Sequence, residues 1–134
     1  MEFDIEQEIK VTFIVGFIVA LIYGLWFLIS VESWVAVTNW PYLDPVAGRL
    51  LGSIFTPLAI VLLKGYKERD EWEKIENIVI FMAGYCILGA IMLIFSHVAF
   101  NLPAANIITI IACLVLGILN THIYIQKRKI KKSY

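Results

Sequence analysis

Apolar residues fall in four long runs, at about 11–31, 46–63, 78–96 and 104–125, with short polar segments between them. Each run holds close to the ~20 apolar residues that a helix needs to cross ~30 Å of hydrocarbon. The pattern predicts an all-α integral membrane protein, an antiparallel four-helix bundle. The four spans use most of the 134 residues. Residues 1–134 are therefore read as a single four-span membrane domain.

Inside the runs, small residues recur every fourth position. Gly16, Ala20 and Gly24 do so in the first span, Gly48, Gly52 and Thr56 in the second, and Thr109, Cys113, Gly117 and Thr121 in the fourth. Such stripes let helix backbones approach closely, within one protein or between protomers. Asp44 and Pro45 open the second span as an N-cap followed by a first-turn proline. Pro57 lies in mid-span and is expected to kink that helix, with Ser53 and Thr56 near the freed carbonyl. Residues 1–10 suit either a short interfacial helix or a solvated tail. Residues 64–77 read as a charged helical extension with Arg69/Glu73 and Asp70/Lys74 four apart.

Charge gives the pattern a direction. The segments before, between and after the spans alternate in basic content. Lys10, Lys64, Lys67, Arg69, Lys74, Lys127, Arg128, Lys129, Lys131 and Lys132 lie on one side, and Arg49 alone lies on the other. That bias places both termini in the cytoplasm, N-in and C-in, with the chain in the cell membrane. Composition agrees: 60% of residues are hydrophobic and mean hydropathy is +0.83. The first run is too long and its leading segment too acidic for a signal peptide. The basic tail suits orientation and anionic headgroups, so the lipid bilayer is an expected partner and nucleic acid is not.

Several chemistries lack their residues. No Asp, Glu, Lys, Arg or His occupies the centre of a run, which argues against coupled proton or ion transport. Small four-helix exporters need a carboxylate in the first helix, and retinal chemistry needs a membrane lysine. His97 and His122 fall at opposite ends of their spans, too far apart to ligate one haem in one subunit. No zinc, nucleophile-elbow or phosphate-loop motif occurs. No cofactor and no metal are expected.

Two polar clusters remain. The first is an outer rim of Glu32, Trp40, Tyr42, Asp44 and Arg49, with His97, Asn101 and Asn106 near it. Arg49 should pair with Asp44 or Glu32. That pair is either a structural salt bridge with headgroup contact or part of a site for an anionic or quinone-like headgroup. The second is a midplane layer of Tyr23, Ser53, Thr56 and Tyr85, with Cys86 and Cys113 at similar depth. Tyrosine hydroxyls in hydrocarbon need partners, and Ser53 and Thr56 are expected to supply them. The layer is either interhelical bonding or the polar floor of a pocket. The two cysteines are expected to be close, free and poorly reactive packing residues.

The stretch WPYLDPVAGRLLG, residues 40–52, resembles the loop-to-second-helix junction of small four-helix membrane proteins of the DoxX-like type. Asp44, Pro45, Arg49 and Gly52 carry the match. The resemblance implies the four-helix fold, and a link to quinone-coupled oxidation in some relatives. The expected function is a non-catalytic membrane protein that binds a hydrophobic or quinone/lipid-like small molecule or serves in a larger membrane complex. A homo-oligomeric channel or transporter and a membrane subunit of a quinone-linked oxidoreductase stay open as alternatives.

Overall fold

A computed structural model describes residues 4–40 and 44–132. The described chain is all-helical: α1 (Ile5–Thr38), α2 (Pro45–Lys67), α3 (Trp72–Phe100) and α4 (Ala105–Lys132). All four are long and apolar enough to cross a membrane. Ile29, Ile60, Ile108 and Ile118 are among many exposed aliphatic side chains on the outward faces. Such a surface suits hydrocarbon and not water. This is the make-up of a multi-pass membrane protein.

The helix ends follow local chemistry. Asp4 caps α1 by accepting from the Glu6 backbone N–H at 3.1 Å. Asp44 caps α2 by accepting from the Val46 and Ala47 N–H groups at 2.6 and 3.3 Å. Asn39 and Asn101 close α1 and α3 in the left-handed conformation, which asparagine tolerates better than most residues.

α1 extends at both ends beyond its apolar run. Residues from Ile5 onward are one helix with the span, so the tail is neither separate nor frayed from that point. The helix also continues past Val31 to Thr38, but with a break. Ser30 has φ −152° and ψ 64°, which is not helical. The Ser33 hydroxyl donates to the Ser30 carbonyl at 2.8 Å, and the Trp26 indole N–H donates to Ser33 Oγ at 2.8 Å. These bonds satisfy groups that the break leaves open. α2, by contrast, runs unbroken through Pro57. The non-helical backbone lies at a serine of α1, whereas Pro57 is accommodated inside one helical segment.

Packing is strongest within two helix pairs. Along α1–α2, small residues let backbones meet. A Cβ at Gly52 would fall 2.7 Å from the Leu28 nitrogen and 3.0 Å from the Gly24 carbonyl oxygen. A Cβ at Gly24 would fall 2.8 Å from the Thr56 nitrogen. Gly65 lies against the Phe13 ring, and Gly16 faces Leu62. Along α3–α4, Gly117 packs on Cys86 and Ile87. The small-residue stripes thus face protein, as expected. Between the pairs, Tyr23 meets Thr109 and Glu8 meets His122 across α1–α4. α2 and α3 touch through few residues, among them Phe55 and Tyr85.

The charged connection differs from its expected form. α2 ends at Lys67 and α3 starts at Trp72, so residues 68–71 form a turn. Residues four apart no longer share a face there. Arg69 lies 3.9 Å from Asp70, and Lys74 pairs with Glu71 at 2.7 Å.

Candidate functional site

The packed core fills one half of the bundle. Ile9, Phe13, Leu62, Ile75, Val79 and Ile123 are almost fully buried near the basic helix ends. The opposite half is looser. There a void of about 430 Å³ opens between the two helix pairs. α1 contributes Tyr23, Phe27 and Trp34, and Trp40 follows it. α2 contributes Leu51 and Phe55. Tyr85, Leu88 and Gly89 come from α3, and Asn106, Thr109 and Cys113 from α4. A smaller void of about 50 Å³ lies deeper and shares Tyr23, Phe55, Tyr85, Thr109 and Cys113 with it.

Aromatic rings form the wall, and the Ser30 break places one of them. On a straight helix, Tyr23 and Trp34 would be ~16 Å apart along the axis. Their ring centroids are 5.2 Å apart. Trp34 also meets Phe27 at 5.2 Å and Trp26 at 5.1 Å, both edge-on. The end of α1 therefore turns Trp34 back over the void. Phe55 continues the wall, 6.2 Å from Tyr23, 6.4 Å from Phe27 and 6.3 Å from Tyr85. Edge-to-face pairs of this kind contribute about 0.5–1.5 kcal/mol each beyond burial.

The midplane candidates separate into two groups. The Tyr23 hydroxyl is bonded to Thr109 Oγ1 at 2.9 Å, so its partner is a fourth-helix threonine. Ser53 and Thr56 do not supply tyrosine partners. Their hydroxyls donate to the Leu50 and Gly52 carbonyls of their own helix, at 2.7 and 2.9 Å. Ser53 is exposed, and Thr56 is held beneath Gly24. The reason is local: a hydroxyl on a helix reaches a carbonyl three or four residues back more easily than another helix. Tyr85 lines the void, and its hydroxyl bonds to no described residue. Cys86 and Cys113 are free thiols, and both line the smaller void.

The rim candidates are also dispersed. Arg49 pairs with Glu32 at 2.5 Å, both side chains about half exposed. Asp44 is occupied as the α2 cap. Trp40 lines the void. Tyr42 lies outside the described residues. Glu32 sits past the Ser30 break, beyond the apolar run. Its carboxyl titrates below the ordinary value, held there first by a backbone hydrogen bond and then by Arg49. Asn101 serves as the α3 cap. Asn106 is fully buried and donates to the Leu93 carbonyl at 3.3 Å, while its Oδ1 and the His97 Nδ1 have no partner among the described residues. None of the void-lining residues carries a charge.

A third polar cluster at the basic end was not anticipated. Glu8 is 5% exposed. Both its carboxylate oxygens lie near His122 Nδ1, at 2.8 and 3.0 Å. Gln126 Nε2 is 3.0 Å from the other ring nitrogen. Read as tail and interface residues, Glu8 and His122 look unrelated. The signal was helical spacing. Ile5, Glu8, Ile9, Thr12, Phe13 and Gly16 fall on one face if the helix begins at Ile5, and that face is the buried one.

Comparison with known proteins gives no relative: no family model, no curated protein and no solved structure matches this chain.

Proposed function

We propose that the chain is a non-catalytic membrane protein that holds a neutral hydrophobic molecule, lipid- or quinone-like, between its two helix pairs. The observation that carries this reading is the uncharged, aromatic-walled void of about 430 Å³. A cavity of ~150 Å³ lined by apolar side chains already binds benzene, and small-molecule sites run to ~300–1,000 Å³. The arrangement we infer is an antiparallel bundle with both termini cytoplasmic. Gly16, Gly24 and Leu28 meet Leu62, Thr56 and Gly52 in opposite order, which supports antiparallel α1 and α2. The ten-to-one bias of basic residues supports the orientation. The DoxX-like resemblance at residues 40–52 belongs to the same proposal.

Quenching of Trp34 and Trp40 by a neutral bromonaphthalene tests the site, because heavy-atom quenching needs contact. Gly89 lines the void, and a Cβ there would meet only Cys113 Sγ, at 3.9 Å. Gly89→Phe should therefore fill the space without disturbing the backbone. Saturable quenching in the wild type that disappears in Gly89→Phe is expected. Equal, non-saturating quenching in both proteins would count against a ligand site. A reporter fused after Tyr134 should be active only on the cytoplasmic side, and external activity would refute the orientation.

A further inference from the structure

Two polar groups on the void are left unused by packing, the buried Asn106 Oδ1 and the Tyr85 hydroxyl, and only the hydroxyl can donate. Tyr85 lies near the middle of α3, at hydrocarbon depth if the helix spans. It borders three voids at once: the large one, the small one beneath it, and a groove of about 370 Å³ between α2 and α3. Its ring is well held, stacked on Phe81 at 5.8 Å and edge-on to Phe55 at 6.3 Å. Its hydroxyl has no hydrogen bond to any described residue. The contrast is Tyr23 on the same wall, whose hydroxyl is bonded to Thr109.

A phenol in hydrocarbon without a partner is unfavourable, because no water is at hand to take the bond. The groove shows how a partner can arrive. Ile54, Pro57 and Val61 of α2 and Asn77 and Phe81 of α3 line it and are exposed on the outer surface. The groove therefore leads from the lipid face to Tyr85. Charged ligands are disfavoured, since no lining residue could neutralise them.

We propose that the void takes a neutral, flat lipophile bearing a carbonyl, which enters from the bilayer between α2 and α3 and accepts a hydrogen bond from the Tyr85 hydroxyl. This rests on reading the void as a ligand site and adds what the ligand must carry. The Tyr85 O–H donates and the ligand carbonyl oxygen accepts; no bond is made or broken. Phe55 and Phe81 flank the phenol and favour a planar carbonyl beside it.

Two matched probes separate this inference from the reading beneath it. One is a bromonaphthyl methyl ketone; the other is a bromoethylnaphthalene of the same shape without the oxygen. Both should quench Trp34 and Trp40 in the wild type. Tyr85→Phe should weaken the ketone about five- to tenfold, the worth of one hydrogen bond, and change the hydrocarbon by less than twofold. Equal small effects on both probes would overturn the carbonyl requirement while leaving the void as a site. Failure of both probes to quench the wild type saturably would remove the site and the inference with it, and saturable quenching by the hydrocarbon alone would overturn the carbonyl requirement. The infrared carbonyl band of the ketone bound to wild-type protein gives a second readout that needs no variant. A shift to lower wavenumber on binding is expected, and an unshifted band would overturn the hydrogen bond.

Discussion

Between α1 and α2 the backbones nearly touch, whereas between α2 and α3 the Phe55 and Tyr85 rings stand 6.3 Å apart with void on either side. Composition accounts for the difference. α1 and α2 present Gly24, Gly52 and Gly65 to each other, and close contact along the seam follows from the missing side chains. α3 turns Phe81 and Tyr85 toward α2, and rings of that size hold the helices apart. In a bilayer, lipid tails are as apolar as leucine, so contact area alone does not draw helices together. A seam of glycines closes, and a seam of rings stays open enough to admit something else.

Gly52→Leu should break this contrast most strongly. The first added carbon would collide with backbone atoms of Leu28 and Gly24, which cannot rotate away. A loss of about 3 kcal/mol or more, or failure to fold, is expected in thermal unfolding in detergent. Gly84 is the control, because nothing lies within 4 Å of a Cβ there. Gly84→Ala should leave stability unchanged or raise it by up to ~1 kcal/mol through helix propensity. If the two variants melt alike, the tight-seam account is wrong.

The next largest effect falls on the bond between the helix pairs. With little contact at α2–α3, the Glu8–His122 pair is one of few polar ties across the bundle. Glu8→Gln keeps the size but offers one carbonyl where two carboxylate oxygens stood. A loss of about 1–3 kcal/mol is expected, read as a lower unfolding midpoint. A midpoint within error of wild type would show that the helix pairs do not depend on this tie.

The cysteines sharpen the picture of the looser half. Cys86 and Cys113 line the small void, so removing their sulfurs enlarges a space that is already there. Cys86→Ala/Cys113→Ala should fold like the wild type, with about 1 kcal/mol or less lost per site. Mass spectrometry of protein purified without reductant should find two free thiols. A disulfide would mean that α3 and α4 approach differently from what is described here.

The smallest effect belongs to Arg49, which joins α2 to α1 through Glu32 on the exposed rim. Arg49→Gln should leave the unfolding midpoint unchanged at moderate salt, since exposed pairs are screened by water and ions. The sign of any pH effect is fixed. Glu32 titrates below its ordinary value, so the contribution is complete above the ordinary carboxylate range. It is lost as pH falls through the lowered value. A large destabilisation at neutral pH would instead make this pair part of the tight seam.

What the sequence could show followed from period and polarity. The four helices were visible because a spanning helix must be apolar for its whole length. The glycine seams were visible because a four-residue repeat stays on one face. Arg49 was narrowed to two acids, and geometry chose Glu32 because Asp44 was spent on a cap. The hidden part was tertiary. Tyr23 took Thr109 as partner because α1 and α4 face each other there, which no spacing within one helix reveals. Glu8 was hidden because an acidic residue ahead of a span is ordinarily solvated, and its burial depends on a partner from α4. The Ser30 break carries no proline or glycine, so no local rule marks it.

That break also has a mechanical side. Residues 31–38 join the rest of α1 through the torsions of Ser30, with the Trp34 ring contacts and the Glu32–Arg49 pair as further ties, and Trp34 sits about 6 Å along that arm at ~1.5 Å per residue. A rotation of about 10° at Ser30 moves the Trp34 backbone by roughly 1 Å, by the same helical rise. The indole, farther out, moves more. One wall of the void thus follows a break in its helix while the facing walls belong to continuous helices, so its position depends on what braces that break. The hydrogen bonds from Trp26 to Ser33 and from Ser33 to Ser30 brace it from within α1, and the Glu32–Arg49 pair braces it from α2.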